Sequence, residues 1–384
     1  MNFENLFLNN KEESLFGRYV TLQNILPVLT VLNIDDNLNV IGKSVENRDI
    51  HSYVIGSGET KILMWSQMHG NESTTTKAVF DFLNFLNSGD VIAKNYLKAF
   101  TFYVIPMLNP DGAENYTRVN ANHVDLNRDF QDLTQPESKL LKQIYDEFQP
   151  HFCFNLHDQR TIFGVGETNK PATVSFLAPS YNEAREINEV RQKAMAVISQ
   201  MNVVLQEYIP GQVGRFDDRF NMNCVGDTFK YLGTPTILFE AGHFPNDYQR
   251  EETRKYIFIA MVSGLQYIYE NDIVCEDLDD YFKIPQNKPI FYDFIYKNIK
   301  INYDNRQIIT NFAFQFTEVL NNKNISFVAK LVEIGELNGN HGHFEFDAKN
   351  EVYSDGRDNI PKLNQEIDFY LGQNVKVVNG LPIL

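Results

Sequence analysis

Two histidines and a few carboxylates sit where they could do chemistry. His69 and Glu72 form a His-x-x-Glu pair in the string His69-Gly70-Asn71-Glu72, directly after an apolar run. An imidazole and a carboxylate at that spacing can turn toward one point, and zinc accepts nitrogen and oxygen ligands of this kind. Alone, the pair is a weak signal and reads more readily as a surface histidine and a glutamate favoured at a helix start. His157 ends the run Phe-Asn-Leu-His-Asp. With His69 and Glu72 it makes two histidines and one carboxylate, three ligands that leave a fourth position open to water, as in catalytic zinc sites. Glu240, in Phe239-Glu240-Ala241-Gly242, ends another apolar run. A carboxylate there is costly unless paired or functional, and beside a metal it could act as general base. Between these lies a polar segment with Asn109-Pro110-Asp111-Gly112, Arg118 and Asp125-Leu126-Asn127-Arg128-Asp129-Phe130. Arginine forks bind carboxylates in bidentate fashion, although a surface arginine needs no ligand.

The elements that must hold these residues are legible as periodicities. Strands are expected at 50–55, 61–67, 101–107, 152–156, 173–177 and 235–240, and helices at 72–87, 136–148, 182–207 and 249–270. Pro136 suits a first helical turn. Residues 1–40 read as one or two short helices, with Leu15, Phe16, Tyr19 and Leu22 near helical spacing. The polar segments 109–135 and 209–234 read as loops, and long loops in compact domains are usually functional. Strands alternating with helices predict an α/β fold with a mixed, largely buried sheet flanked by helices. An acidic, proline-containing stretch after 271 looks like a linker, and short β-rich runs follow. The expected organisation is a helical extension at 1–40, a catalytic domain at 41–275 and a C-terminal all-β domain at 286–384.

Composition narrows the class. The 384 residues carry 50 acidic and 34 basic side chains, a net charge of −16, so a polyanionic partner is repelled and nucleic-acid binding is not expected. No apolar run is long enough for a membrane span, and the acidic start lacks a signal-peptide layout. Cys153, Cys224 and Cys275 are few, odd in number and far apart, which suggests neither a disulfide framework nor a thiolate metal cluster and points to a reducing, cytoplasmic setting. His341 and His343 flank Gly342 and read as a hairpin turn rather than a second metal site.

Taken in order, His-x-x-Glu, Asn-Pro-Asp-Gly, the arginine before Asp-x-Asn-Arg, the strand-end histidine and the late strand-end glutamate resemble the zinc metallocarboxypeptidases of the carboxypeptidase A type, in an intracellular-looking, bacterial form. The resemblance implies one zinc per chain held by His69, Glu72 and His157, with Asp125 orienting His69. It implies that Arg118 stabilises the oxyanion, that Asn127 and Arg128 grip a free terminal carboxylate, and that Glu240 activates water and returns the proton to the leaving amine. Arg215 and Arg219 are further candidates for positive charge at the site. Two departures stand out. The family's active-site tyrosine has no counterpart in Arg215-Phe216-Asp217-Asp218-Arg219-Phe220, and Tyr231 falls too near Glu240. The Glu72-to-His157 spacing is short. The Asp-Leu-Asn-Arg-x-Phe and Glu-x-Gly strings and the C-terminal β module also resemble the aspartoacylases and succinylglutamate desuccinylases, which implies an N-acyl amino acid amidohydrolase as the alternative. A non-catalytic carboxylate-binding protein is the third reading, although no ligand or base is missing. The implied partner is a peptide or N-acyl amino acid with a free carboxylate; oligomeric state is left open.

Overall fold

A computed structural model describes all residues except 34–35, 272–277, 304–305, 367 and 384. Cys275 and part of the expected linker lie outside the described residues. The chain divides into two compact units, Met1–Gln159 with Ala172–Asn287, and Arg160–Pro171 with Lys288–Leu384. Residues 160–171 thus group with the C-terminal strands.

The elements run α1 (Phe3–Asn10), α2 (Leu22–Leu32), β1 (Leu38–Lys43), β2 (Asp49–Gly56), β3 (Thr60–Ser66), α3 (Thr74–Asn87), α4 (Val91–Ala99), β4 (Phe100–Ile105), α5 (Pro110–Asn115) and α6 (Pro136–Phe148). They continue with β5 (Phe152–Asp158), β6 (Phe163–Val165), β7 (Val174–Leu177), α7 (Glu189–Tyr208), β8 (Val213–Arg215), α8 (Val225–Tyr231), β9 (Thr236–Ala241), α9 (Glu251–Glu270) and α10 (Asp279–Lys283).

In the first unit an eight-stranded sheet has the order β1-β2-β4-β3-β5-β9-β7-β8. Its centre is parallel, β4 to β3 to β5 to β9, while β1 and β2 pair antiparallel. Such a centre must be covered on both faces. Alternation along β3 shows how: Ile62 and Met64 join an apolar cluster with α3, α7 and α9, whereas Leu63 and Trp65 join another with α6 and α8. The sheet is mixed and flanked by helices, as the sequence implies.

Several expectations need correction. Residues 11–21 are not helical. Arg254 on α9 donates to the carbonyls of Glu12 and Leu15, and Asp81 on α3 accepts from the Glu12 N–H. These side chains take the backbone groups that a helix would have paired, so Leu15 is buried while Phe16 is exposed. The segment 109–135 contains α5 and a 3₁₀ turn at Leu126–Arg128, and 209–234 contains β8 and α8. The helix expected at 182–207 begins only at Glu189, where Asn188 accepts from the Arg191 N–H. β1 and the short helix α4 were not anticipated.

The second unit contains β6, β10 (Asn287–Pro289) from its second residue onward, β11 (Phe291–Tyr303), β12 (Arg306–Asn321), β13 (Asn324–Gly335), β14 (His341–Asp347), β15 (Tyr353–Ser354), β16 (Phe369–Leu371), β17 (Val375–Val378) and β18 (Leu381–Ile383). It has a four-stranded sheet β13-β12-β11-β14 and a second, β15-β16-β17-β18. Phe294, Tyr296, Phe312, Phe314 and Phe369 fill its core. His341 and His343 do not form a hairpin turn: they open β14, which runs parallel to β11. The His343 ring stacks on Phe291 and its Nε2 donates to the Thr161 carbonyl.

Candidate metal centre

The ends of three elements meet at the proposed ligands. His69 lies three residues past β3, beyond Gln67, whose backbone is left-handed at φ 50°. A non-glycine residue in that region is uncommon and must be held there. The buried Gln67 amide donates to the carbonyls of Val20 and Gly70 and accepts from the Thr76 hydroxyl. Asn109 completes the turn, donating to the Met68 carbonyl and accepting from the Gly112 N–H. A Cβ on Gly70 would meet the backbone of Gly112 at 1.9 Å, so only glycine permits this approach. The Asn-Pro-Asp-Gly string is therefore a brace for the His69 turn. Asp111 faces away from it, accepting from Ser44, the Glu46 N–H and Arg48.

Glu72 precedes α3 and His157 lies near the end of β5. Asp158 joins the two: its carboxylate accepts from the N–H groups of Thr74 and Thr75, and its own N–H donates to Glu72 Oε2. An acidic group suits a helix N-terminus, so this contact fixes α3 against β5. His157 and Glu240 are paired neighbours in the register of β5 and β9, which brings them to the same face.

The donor atoms converge. His69 Nδ1 stands 2.8 Å from Glu72 Oε1, His157 Nδ1 stands 2.9 Å from Glu72 Oε2, and the two Nδ1 atoms are 3.1 Å apart. All three residues are buried, and among the described residues they are the group whose ligand atoms could hold a metal ion. His69 Nε2 lies 2.9 Å from Asp125 Oδ1. The Asp125 carboxyl is held far below its usual range: burial opposes this, but the bond to His69 and the charge of Arg118 outweigh it. An ionised carboxylate only accepts, so Nε2 carries a proton, and a metal at the centre would replace the proton that Nδ1 shares with Glu72.

The electrostatics follow from crowding. Burial pulls the His69 imidazole down, but Glu72 and Asp125 carry the net shift upward. Burial dominates at His157 and lowers it. Glu72 is driven well below the carboxylate range by the two histidines, against its burial. Glu240 moves the other way: burial, then the charges of Glu72 and Asp158, push it well above. Among the described residues, Glu240 Oε2 and His157 Nε2 are buried polar atoms with no hydrogen-bond partner.

These observations fit zinc. Tetrahedral coordination with bonds of about 2.0–2.1 Å places ligand atoms about 3.3 Å apart, close to the spacing here. Two imidazole nitrogens facing each other across 3.1 Å need an electrophile between them. A divalent cation there would also offset the negative charges that raise Glu240.

Arg118 reaches the centre from the loop, donating to Glu72 Oε1 at 3.1 Å and to Asp125 Oδ2 at 3.0 Å. Asp125 also accepts from the Asn127 N–H, which shapes the 3₁₀ turn. Asn127 Oδ1 accepts from the Val225 N–H at the start of α8. Arg128 is exposed, with Nη1 on the Asn127 carbonyl. The structure brings His69, Glu72, His157, Asp125 and Arg118 together, with Asn127 and Arg128 on the adjoining turn. It places Arg215 elsewhere: its guanidinium lies over the rings of Tyr281 and Phe282 and donates to the Ile284 carbonyl. Arg219 is exposed and paired with Asp217. Tyr231 is half exposed and stacks on Tyr181. Cys153 is buried, which pushes its thiol up, so it packs as a small apolar residue. The sequence reading missed Gln67 and Asp158; Asp158 had a signal in its position directly after a ligand histidine.

Residues 37–201 match the zinc carboxypeptidase family model. The chain is 29% identical over 136 residues to a probable carboxypeptidase 2 of Arthroderma benhamiae, covering 35% of this chain and 23% of that protein. It is 30% identical over 246 residues to carboxypeptidase D of Rattus norvegicus, covering 55% and 18%. The chain thus spans under a quarter of the length of these curated relatives. Among solved structures, a metallo-carboxypeptidase from Burkholderia cenocepacia superposes with a TM-score of 0.55 at 16% identity, covering 65% of this chain and 69% of that one. Thrombin activatable fibrinolysis inhibitor superposes with a TM-score of 0.54 at 15% identity, covering 70% and 81%. The fold is that of the carboxypeptidases, and residues 37–201 resemble the zinc carboxypeptidase family. No helix among the described residues is long and apolar enough to cross a membrane.

Proposed function

We propose that the protein is a zinc-dependent carboxypeptidase that hydrolyses an amide bond next to a free carboxylate. The observation that carries this reading is the convergence of His69 Nδ1, Glu72 and His157 Nδ1 within 3.1 Å contacts, beside Glu240, whose Oε2 has no partner among the described residues. Those three residues would hold one zinc per chain, and the metal when bound would supply a Lewis acid for the carbonyl and a lowered pKa for water. Asp125 keeps the His69 tautomer fixed. Glu240 takes a proton from the attacking water at Oε2 and returns it to the leaving nitrogen. Arg118 swings its guanidinium to the substrate carbonyl oxygen as negative charge develops there. Asn127, through its amide N–H, and Arg128, through its fork, hold the terminal carboxylate of the substrate.

The test compares one peptide as free acid and as C-terminal amide, with N-acyl amino acids alongside, on zinc-loaded protein. Release of the last residue from the acid, at least tenfold slower from the amide, is expected. Equal cleavage of acid and amide removes the carboxylate anchor, and preferential turnover of N-acyl amino acids replaces this reading with an amidohydrolase.

A further inference from the structure

Arg250 is fully buried, yet it belongs to no part of the chemistry above. It stands just before α9 with a left-handed backbone, φ 62°. Asp247 sets up this conformation. Its carbonyl accepts from the Arg250 N–H, and its carboxylate accepts from the N–H groups of Glu251, Glu252 and Thr253. The helix start is thus capped by Asp247, and the Arg250 side chain turns back into the protein. A non-glycine residue in this region costs about 1–3 kcal/mol and persists only where its surroundings hold it.

The guanidinium ends on three carbonyls at the tips of two adjacent strands. Nη1 donates to Ala241 O at 2.7 Å and to Gly242 O, and Nη2 donates to Gln159 O at 3.0 Å. Ala241 follows Glu240, and Gln159 lies two residues past His157. The strand tips are otherwise joined by the Gln159 N–H to Ala241 O. A Cβ on Gly242 would meet Ala172 O at 1.9 Å, so this end of β9 is packed without slack. The Arg250 charge also acts on the carboxylates of Asp158 and Glu240, drawing both downward against their burial. One planar cation therefore locks the β5 end, which carries a metal ligand, to the β9 end, which carries the general base.

We propose that Arg250 is a positioning residue of the hydrolytic centre, fixing the strand end of His157 relative to that of Glu240. This rests on the carboxypeptidase reading above. The alternative is that Arg250 only stabilises the fold, as Arg254 does on the same helix. Arg254 is equally buried but is spent on Asp81 and the carbonyls of Glu12 and Leu15.

The experiment uses the full chain with Arg250→Lys, Arg250→Met and Arg254→Met. Readouts are kcat and KM on benzoyl-glycyl dipeptides, thermal melting, and the visible spectrum of the Co2+-loaded protein. Loss of an outer contact at a metal site typically costs about 10–100-fold in activity or metal affinity. Arg250→Met is expected to lose kcat in that range with KM within about threefold, and to shift the Co2+ spectrum, with partial rescue in Arg250→Lys. Arg254→Met should melt lower while keeping wild-type kcat and spectrum. The proposal is overturned if Arg250→Met keeps kcat within about twofold of wild type with an unchanged Co2+ spectrum. Should Arg250→Met fail to fold, Arg250→Lys decides on the same two readouts. If the wild type cleaves no dipeptide, the carboxypeptidase reading fails, and the Co2+ spectra of the Arg250 variants still decide the positioning role.

Discussion

Replacing Glu240 by glutamine separates what the residue costs the fold from what it does for the reaction. The side chain is partly buried beside His157, with Oε2 buried and unpartnered among the described residues and the charges of Glu72 and Asp158 acting on it. Burial and those two charges raise its pKa well above the ordinary range. A raised acid pKa means the folded chain binds the proton more tightly than the unfolded chain, so stability falls as pH rises from about 4.5. At pH 8, with metal removed by chelation, Glu240 is a net cost to folding, and an isosteric neutral amide relieves it. An unsatisfied buried polar group costs about 1–3 kcal/mol, and each kcal/mol moves Tm by about 2 °C in a unit of this size. Glu240→Gln should therefore melt about 2–6 °C above wild type without metal. In the zinc-loaded protein the same change should lower kcat by about 10²–10⁴-fold with KM nearly unchanged, the usual loss for a general base. Calorimetry on chelated protein and steady-state kinetics on loaded protein read the two effects. A variant that keeps more than half of wild-type kcat, or melts lower than wild type at pH 8, would refute the reasoning.

Other consequences are as direct. Arg128→Ala should mainly raise KM and Arg118→Ala should mainly lower kcat, each by about 10–150-fold, the worth of one charge-assisted hydrogen bond; the reverse split would exchange their roles. Arg254→Ala breaks a fully buried pair with Asp81, Nε–Oδ2 2.7 Å and Nη2–Oδ1 2.6 Å. It should cost about 3–5 kcal/mol in denaturant titration, and a loss under 1 kcal/mol would show that the N-terminal segment does not need this anchor. Asp227, at the start of α8, is raised to about 7, mainly by burial. Its folded pKa exceeds its unfolded one, so its contribution to stability is lost as pH rises from about 4 through 7, by at most about 4 kcal/mol. Asp227→Asn should thus gain on wild type in melting temperature between pH 5 and pH 7.5, and a gap that stays constant would count against that shift.

The sheet was legible because its central strands are buried on both faces and read as unbroken apolar runs, as in β3 and β5. The three ligand candidates and Glu240 were legible for a related reason: ionisable residues ending such runs are conspicuous. What escaped the sequence is held by long-range contacts with no local signature. The segment 11–21 has apolar residues near helical spacing, but Arg254 and Asp81, more than sixty residues away in the chain, take its backbone groups. Arg215 looked available for substrate charge because nothing local shows that Tyr281 and Phe282 will cover it. The Asn-Pro-Asp-Gly string announced a turn, but that the turn braces His69 follows only from the approach of Gly70 to Gly112.

Anomalous diffraction at the zinc edge, from crystals grown with zinc, locates the metal and identifies its ligands. The account predicts one peak about 2.0–2.2 Å from His69 Nδ1, His157 Nδ1 and a Glu72 oxygen, lost in His157→Ala. No peak among these three residues, or an undiminished peak there in His157→Ala, would contradict it.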